Sequence, residues 1–425
     1  KSLPFETLYK YWWAAFIYIV VFTFWGQPDF SPSYMRNVWL NGLPIDNTIS
    51  LMFANSMLSG RELFAFGDWL GSDRPPLMSG LFLYFRLPFI DAAGNYQLVG
   101  TALQCLVVPI CITVFRQVLA PVNTPNLKIG RWNLPVEVLL LLLILQAPLF
   151  VFNVTFLWPK ILSSVFGLIF LSLHINTVLR SPASKSESTT RSAIAIGIAA
   201  ALAMLAHGGA IFFLLAAAFY FSVTRATGRI TYMVFSIATF LSIYTPWVFY
   251  QRVIQPPGDR LLKWHLAGVI PVTEESFKTV YLKAHNNMTM QGLWKRVLSQ
   301  LNQHFISPLK GLDGIPFTES FYWSIYTVGF LGAIIYATAF MGLIKKNTRP
   351  YIAVAIISFI IWAAVMFNGG PVHEGVYVMY FLVLIVFSAS MSRTAFRRYF
   401  LLAFSVLSLG LTACEFQAKK IESNT

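Results

Sequence analysis

Apolar stretches of near-bilayer length recur from one end of this chain to the other, and they restrict what it can fold into. A helix needs roughly 20 apolar residues to cross a bilayer, and stretches near that length lie at 11–26, 97–115, 135–151, 160–178, 193–207, 209–224, 230–249, 321–343, 351–367, 375–390 and 399–414. The reading is an all-α integral membrane protein, a polytopic bundle of about eleven transmembrane helices. Composition agrees: 56% of the residues are hydrophobic and only 11% charged, where a soluble domain carries about 25% charged residues. The first stretch is long and aromatic, so it is expected to be retained as a span rather than cleaved.

Orientation follows from the basic residues, which concentrate in cytoplasmic segments. With the N-terminus placed in the cytoplasm, that side holds 16 Lys and Arg against three acidic residues, a net of +13, and the other side keeps 15 basic and 14 acidic, so nearly all of the total +14 is topological. The basic balance therefore needs no nucleic-acid partner. With an odd number of spans the C-terminus lies outside. Cys105 and Cys111 fall within a span and Cys414 ends the last one, with no disulfide or metal-ligand spacing.

Two extracytoplasmic connections are long, residues 27–96 and 251–320, and the cytoplasmic ones are short. The division expected is a transmembrane module over 1–250 that includes the loop 27–96, a second loop over 251–320, and C-terminal helices over 321–425. Neither loop reads as coil. Ile49, Phe53, Met57 and Leu58 recur at helical spacing before Ser59-Gly60. The run LMSGLFLYFRLPF after Pro75-Pro76 is too short to cross, which suits an interfacial helix. The second loop holds two more amphipathic segments, and Trp264, Tyr281, Trp294 and Trp323 suit the membrane interface.

Charge held beside a bilayer is expensive, and residues 41–77 gather Asp46, Arg61, Glu62, Asp68, Asp73 and Arg74. Asp46 follows Pro44 and precedes a helix. It could cap that helix, or, desolvated at the mouth of the bundle, serve as a general base with a raised pKa. Asp73-Arg74-Pro75-Pro76-Leu77 forces an extended entry into the next helix, because a residue before proline is pushed out of the α region.

Asp46 and Pro75-Pro76-Leu77, about thirty residues apart after a first span, resemble the GT-C superfamily of membrane glycosyltransferases that use polyprenyl-phosphate sugars. The resemblance implies a cytoplasmic N-terminus, an extracytoplasmic loop with interfacial helices, and a catalytic acid at Asp46. Many members carry Asp-Glu where this chain has Asp46-Asn47. A second carboxylate must then come from elsewhere or be absent.

Transfer from a lipid phosphate needs cations on the leaving group, where negative charge builds in the transition state. Lys160 opens a span on the extracytoplasmic side, where it binds phosphate or snorkels. His207-Gly208-Gly209 lies between two spans at the same face. The segment from Gln255 to His265 gathers Arg260, Lys263 and His265 beside Trp264, a set able to converge on a phosphate or to attract anionic headgroups. His373-Glu374, between two late spans, could bind acceptor or metal, or cap a helix. The substrate-binding set is thus Asp73, Arg74, Lys160, His207, Arg260, Lys263, His265, His373 and Glu374.

No Walker loop, dinucleotide fingerprint or HExxH motif occurs. The short cytoplasmic loops offer no nucleotide site, which favours a lipid-linked donor. The expected function is an inverting glycosyltransferase moving a sugar from a polyprenyl-phosphate donor to a glycan, lipid or protein acceptor, among membrane lipids of a bacterial inner membrane. No cofactor is required by the residues, and a divalent cation is compatible with them. A transporter or flippase would place ionisable groups near the bilayer midplane, and these spans are nearly free of charge. A polysaccharide polymerase or ligase would share the donor but usually shows a large late loop instead.

Overall fold

A computed structural model describes residues 5–25, 29–39, 46–60, 65, 69–119, 126–177, 186–224, 230–286, 288–302, 329–367 and 377–424. Among them the fold is helical, with one short antiparallel hairpin, β1 (Leu127–Ile129) and β2 (Trp132–Leu134), turning at Gly130. The chain opens with α1 (Phe5–Phe24), then α2 (Pro32–Trp39), α3 (Asp46–Ser59) and α4 (Leu77–Phe85). Gly60 ends α3 with φ 60°, a left-handed conformation that lacks a Cβ penalty only in glycine. Asn47 Nδ2 donates to Pro32 O at 2.9 Å and Ser79 Oγ to Ser50 O at 2.9 Å, so α3 is held between α2 and α4.

α5 (Ala92–Cys105) and α6 (Val107–Leu119) follow, then α7 (Glu137–Gln146), α8 (Pro148–Phe156), α9 (Lys160–Ile175), α10 (Ser186–Ala206), α11 (Ala210–Thr224) and α12 (Ile230–Phe249). The second loop contributes α13 (Arg260–Ala267), α14 (Phe277–His285) and α15 (Met290–Leu301). The remaining helices are α16 (Gly329–Phe340), α17 (Arg349–Val365), α18 (Tyr377–Met391) and α19 (Ala395–Asn424).

Among the described residues a helix lies in each apolar stretch read from the sequence, though the count of about eleven crossings is not confirmed by helix length. Ala92–Leu119 and Tyr232–Ile254 are long and apolar enough to span, and two further pairs qualify only when joined across bends of 65° (α7 with α8) and 119° (Ile335–Ile344 with Arg349–Val365). The first bend has a plain cause: Pro148 cannot donate a backbone N–H and its ring obstructs the preceding turn. Amides tie the broken region down. Gln97 Nε2 donates to Thr155 O at 2.9 Å and Gln104 Nε2 to Asn153 O at 3.2 Å, all within the buried α5–α8 seam.

α18 is the middle of the bundle. Every residue from Tyr377 to Ser390 is buried, and the helix packs against α6, α7, α9, α16, α17 and α19. α19 runs between the two faces of the molecule. Near its start the Tyr399 hydroxyl donates to Lys128 O in the hairpin, and near its end Lys420 Nζ donates to Thr23 O at 3.2 Å at the end of α1. One face therefore carries the hairpin and the other the two long loops.

Candidate functional site

The site lies on the loop face, where the 3₁₀ turn Gly71–Asp73 meets the end of α12. Gly71 sits on the Phe53 ring of α3, so close that a Cβ there would be 2.3 Å from Phe53 Cδ2. Phe53 in turn packs edge-on against Trp247 and Tyr250 at 6.5 and 6.2 Å between ring centres. The π turn Tyr250–Ile254 extends α12 toward Ser72. Gln255 Oε1 accepts from Ser72 N at 2.8 Å, Ser72 Oγ donates to Gln255 O at 3.0 Å, and Gln251 Nε2 donates to Ser72 O at 2.7 Å. Three hydrogen bonds thus join segments about 180 residues apart in sequence.

That lock brings the two charged segments onto one ring. The guanidinium carbon of Arg260 lies 3.8 Å from the Trp69 ring centre and that of Arg74 lies 4.6 Å from it. Trp264 packs against the same tryptophan at 5.9 Å and stacks on His265 at 5.4 Å. Lys160, the first residue of α9, puts its ammonium 4.2 Å from the Trp158 ring centre and 5.4 Å from that of Tyr377. The His265 carbonyl accepts from Phe367 N at 2.7 Å, which ties α13 to the end of α17.

Electrostatics follow from this packing. Burial, then the positive charges of Arg74 and Lys160, push the His265 imidazole down to about 3, so it is neutral at physiological pH. Burial raises Asp73 above the ordinary carboxylate range and Asp259 adds to the rise, while the Leu70 N–H, Arg260 and Arg74 oppose it. Asp259 itself is paired with Lys263 at 3.0 Å, both side chains buried, and Lys263 Nζ also donates to Thr273 O at 3.1 Å. With that pair neutral, Arg74 and Arg260 act on Asp73 and Arg74 and Lys160 on His265, a cationic excess among the described side chains.

Six of the residues singled out from sequence therefore share one cluster: Asp73, Arg74, Lys160, Arg260, Lys263 and His265. Asp46 is the first residue of α3, the helix whose Phe53 backs Gly71. His207 lies in the turn between α10 and α11, where its Nδ1 accepts from Gly209 N at 3.1 Å. Its neighbour Ala206 packs with Leu51, Met78, Tyr96 and Leu157, beneath α3 and α4. His373 and Glu374 lie outside the described residues, as does Trp323. Among the described residues no three His, Cys, Asp or Glu side chains converge as a metal site. Sequence reasoning passed over Trp69, Tyr377, Ser72 and Gln251, and gave Gln255 no role. Trp69 had a readable signal, a large aromatic inside a charged loop; the glutamines had none.

Two solved structures share this architecture at low sequence identity. ArnT from Cupriavidus metallidurans, bound to undecaprenyl phosphate, matches with TM-score 0.57 and 14% identity, over 97% of this chain and 64% of that one. The Archaeoglobus fulgidus oligosaccharyltransferase in its apo form matches with TM-score 0.52 and 12% identity, over 98% of this chain and 56% of that one. The chain spans less than two thirds of the length of either. No protein-family model matches it, and no curated protein does so by sequence. The likeness shows that this chain has the helical membrane fold these two proteins share.

Proposed function

We propose that the chain is an inverting glycosyltransferase that uses a polyprenyl-phosphate sugar on the extracytoplasmic face of a bacterial inner membrane. The acceptor would be a glycan, lipid or protein. In this reading about eleven helices cross, the N-terminus is cytoplasmic, the C-terminus is periplasmic, and the module 1–250 carries the acid while the loop 251–320 carries half of the cations. Asp46 takes the proton from an acceptor hydroxyl, whose oxygen attacks the anomeric carbon from the side opposite the phosphate. The bond from that carbon to the phosphate oxygen breaks, and polyprenyl phosphate leaves with the negative charge. Arg74, Arg260 and Lys160 stabilise that charge as it develops. Lys263, engaged by Asp259 and Thr273, holds the loop in shape, and neutral His265 offers a polar edge without a charge. His207, His373 and Glu374 complete the acceptor side.

The observation that carries this reading is the meeting of Arg74 and Arg260, from separate loops, on Trp69. Purified protein in nanodiscs, given a panel of polyprenyl-phosphate sugars and acceptors, tests it. Asp46→Asn should keep donor affinity and lose transfer by about 10²–10⁴-fold, the usual contribution of a general base. Transfer by Asp46→Asn at the wild-type rate would remove Asp46 as the base. If lipid-linked donors neither bind nor react while a solute crosses liposomes, the protein is a transporter instead.

A further inference from the structure

Leu157, in the turn from α8 to α9, holds a left-handed backbone, φ 61° and ψ 29°, and its side chain is fully buried. That conformation is costly for a residue with a Cβ and ordinarily falls to glycine at the end of a helix. The surroundings hold it there. Gly100 of α5 leaves a notch in which a Cβ would lie 2.8 Å from Leu157 Cδ2 and 2.5 Å from Met78 Cε. Leu157 and Met78 share a small buried core with Leu51 and Ala54 of α3, Tyr96 of α5 and Leu162 of α9. About one turn to either side of Gly100, Gln97 and Gln104 donate to Thr155 O and Asn153 O at the end of α8. The residue that this turn delivers is Lys160. Trp158 folds back on Phe156 at 4.8 Å and Phe152 at 5.6 Å between ring centres, and Pro159, with φ −72°, starts α9. The Lys160 ammonium then stands 4.2 Å from the Trp158 ring centre and 5.4 Å from that of Tyr377.

We infer that Leu157 is a positioning residue of the transfer site: seated in the Gly100 notch, it aims the turn that carries Lys160 and joins that cation to α3, the helix that Asp46 opens. A strained residue persists only where its surroundings over-determine it, so the turn keeps one setting while α3, α5 and α9 stay packed. Glycine at 157 would keep the backbone and empty the seat, which separates the two contributions. The effect of Leu157 on transfer rests on the function proposed above; its effect on where Lys160 stands does not.

The full chain in nanodiscs, with its histidines isotopically labelled and His265 identified by its loss in His265→Gln, tests this. The His265 ring reports where Lys160 stands, because Lys160 is among the charges that act on it, with Arg74. Leu157→Gly should raise the pH at which that ring protonates toward the ordinary 6.5, whereas Leu157→Met, close in volume, should titrate like wild type. In the Lys160→Met background Leu157→Gly should add no further rise, since coupled residues are not additive. With donor and acceptor supplied, Leu157→Gly should lose about ten- to hundredfold in transfer, the scale of a misplaced group. Leu139→Ala, buried in the main core, should lower the unfolding temperature and leave His265 unmoved. Where Leu157→Gly does not fold, Gly100→Ala crowds the seat instead of emptying it and should move the same titration. An unmoved His265 in both variants would overturn the positioning role, as would an equal rise in the Lys160→Met background or the same rise in Leu139→Ala. A rise that depends on Lys160, in a protein that transfers no sugar, would uphold it and remove the transfer reading instead.

Discussion

Arg260 lies with its guanidinium carbon 3.8 Å from the centre of the Trp69 ring, and Arg74 shares the same tryptophan at 4.6 Å. One aromatic side chain therefore fixes the spacing of two cations that belong to different loops. Each such contact is worth about 0.5–2 kcal/mol, more when desolvated. Under the proposed function, Trp69→Ala should weaken binding of the polyprenyl-phosphate donor by about tenfold or more, exceeding Trp69→Phe, which keeps a ring face. Equal affinity of wild type and Trp69→Ala in a lipid titration would show that the ring does not organise the cations.

The lock between Ser72 and Gln255 makes a second expectation. Gln255→Ala leaves the buried Ser72 N–H without its acceptor, at a cost of about 1–3 kcal/mol. Thermal unfolding should occur at lower temperature, and donor affinity should fall, because Arg260 loses its register against Arg74. Gln255→Glu retains a carboxylate oxygen for that N–H and should recover most of the unfolding temperature. If Gln255→Ala melts like wild type, the lock is not structural.

Gly71 makes a third. A methyl there would stand 2.3 Å from Phe53 Cδ2, and overpacking of this kind costs about 1–3 kcal/mol. Gly71→Ala should be destabilised, and Phe53→Ala in the same chain should recover part of the loss, since residues in contact are not additive. Additive losses in the double variant would contradict direct contact.

The imidazole of His265 gives a pH dependence. Burial, then Arg74 and Lys160, hold its folded-state pKa at about 3, below the ordinary histidine value of 6.5. Above pH about 6.5 it is neutral in both states and contributes no slope; as pH falls from there toward 3 only the unfolded chain takes up the proton, so stability is lost. His265→Gln should flatten the decline in unfolding temperature between pH 7 and 4.5, as scanning calorimetry across that range would read. A parallel decline in both proteins would locate the titration elsewhere.

Lys160 and Arg74 both act on that histidine. Lys160→Met should therefore raise the His265 pKa toward its ordinary value and, under the proposed function, weaken binding of the polyprenyl-phosphate donor by about tenfold. Histidine chemical shifts followed against pH would report the first effect separately from the second.

Much of this was legible in the residues. The helices α14 and α15 follow from amphipathic spacing, and the bounds of α3 and α4 from Gly60 and Pro75-Pro76; the expected apolar face of α3 does not hold along its length, since Asn47 and Ser50 are buried while Met57 and Leu58 are exposed. Arg74, Lys160, Arg260, Lys263 and His265 were found because charge near a bilayer needs a reason. Their division of labour was not legible. Lys263 and Arg260 stand three residues apart on one helix, yet only the structure shows that Asp259 and Thr273 engage the first while Trp69 receives the second. Gln251 and Gln255 were invisible because an uncharged amide gives no signal until its partner, Ser72, is known in space. The simple count of crossings also met a limit, since hydropathy registers apolar length but not the bend at Pro148.

The burial of α18 has a consequence for how the protein is made. Residues 377–390 occupy the centre, against α6, α7 and α9, yet they are synthesised long after those three helices. Until they arrive, the early helices have only lipid or one another where their innermost neighbour will be. Assembly therefore cannot close progressively from the N-terminus. The nascent bundle must wait around an unfilled axis, and the late helix enters it as a keystone.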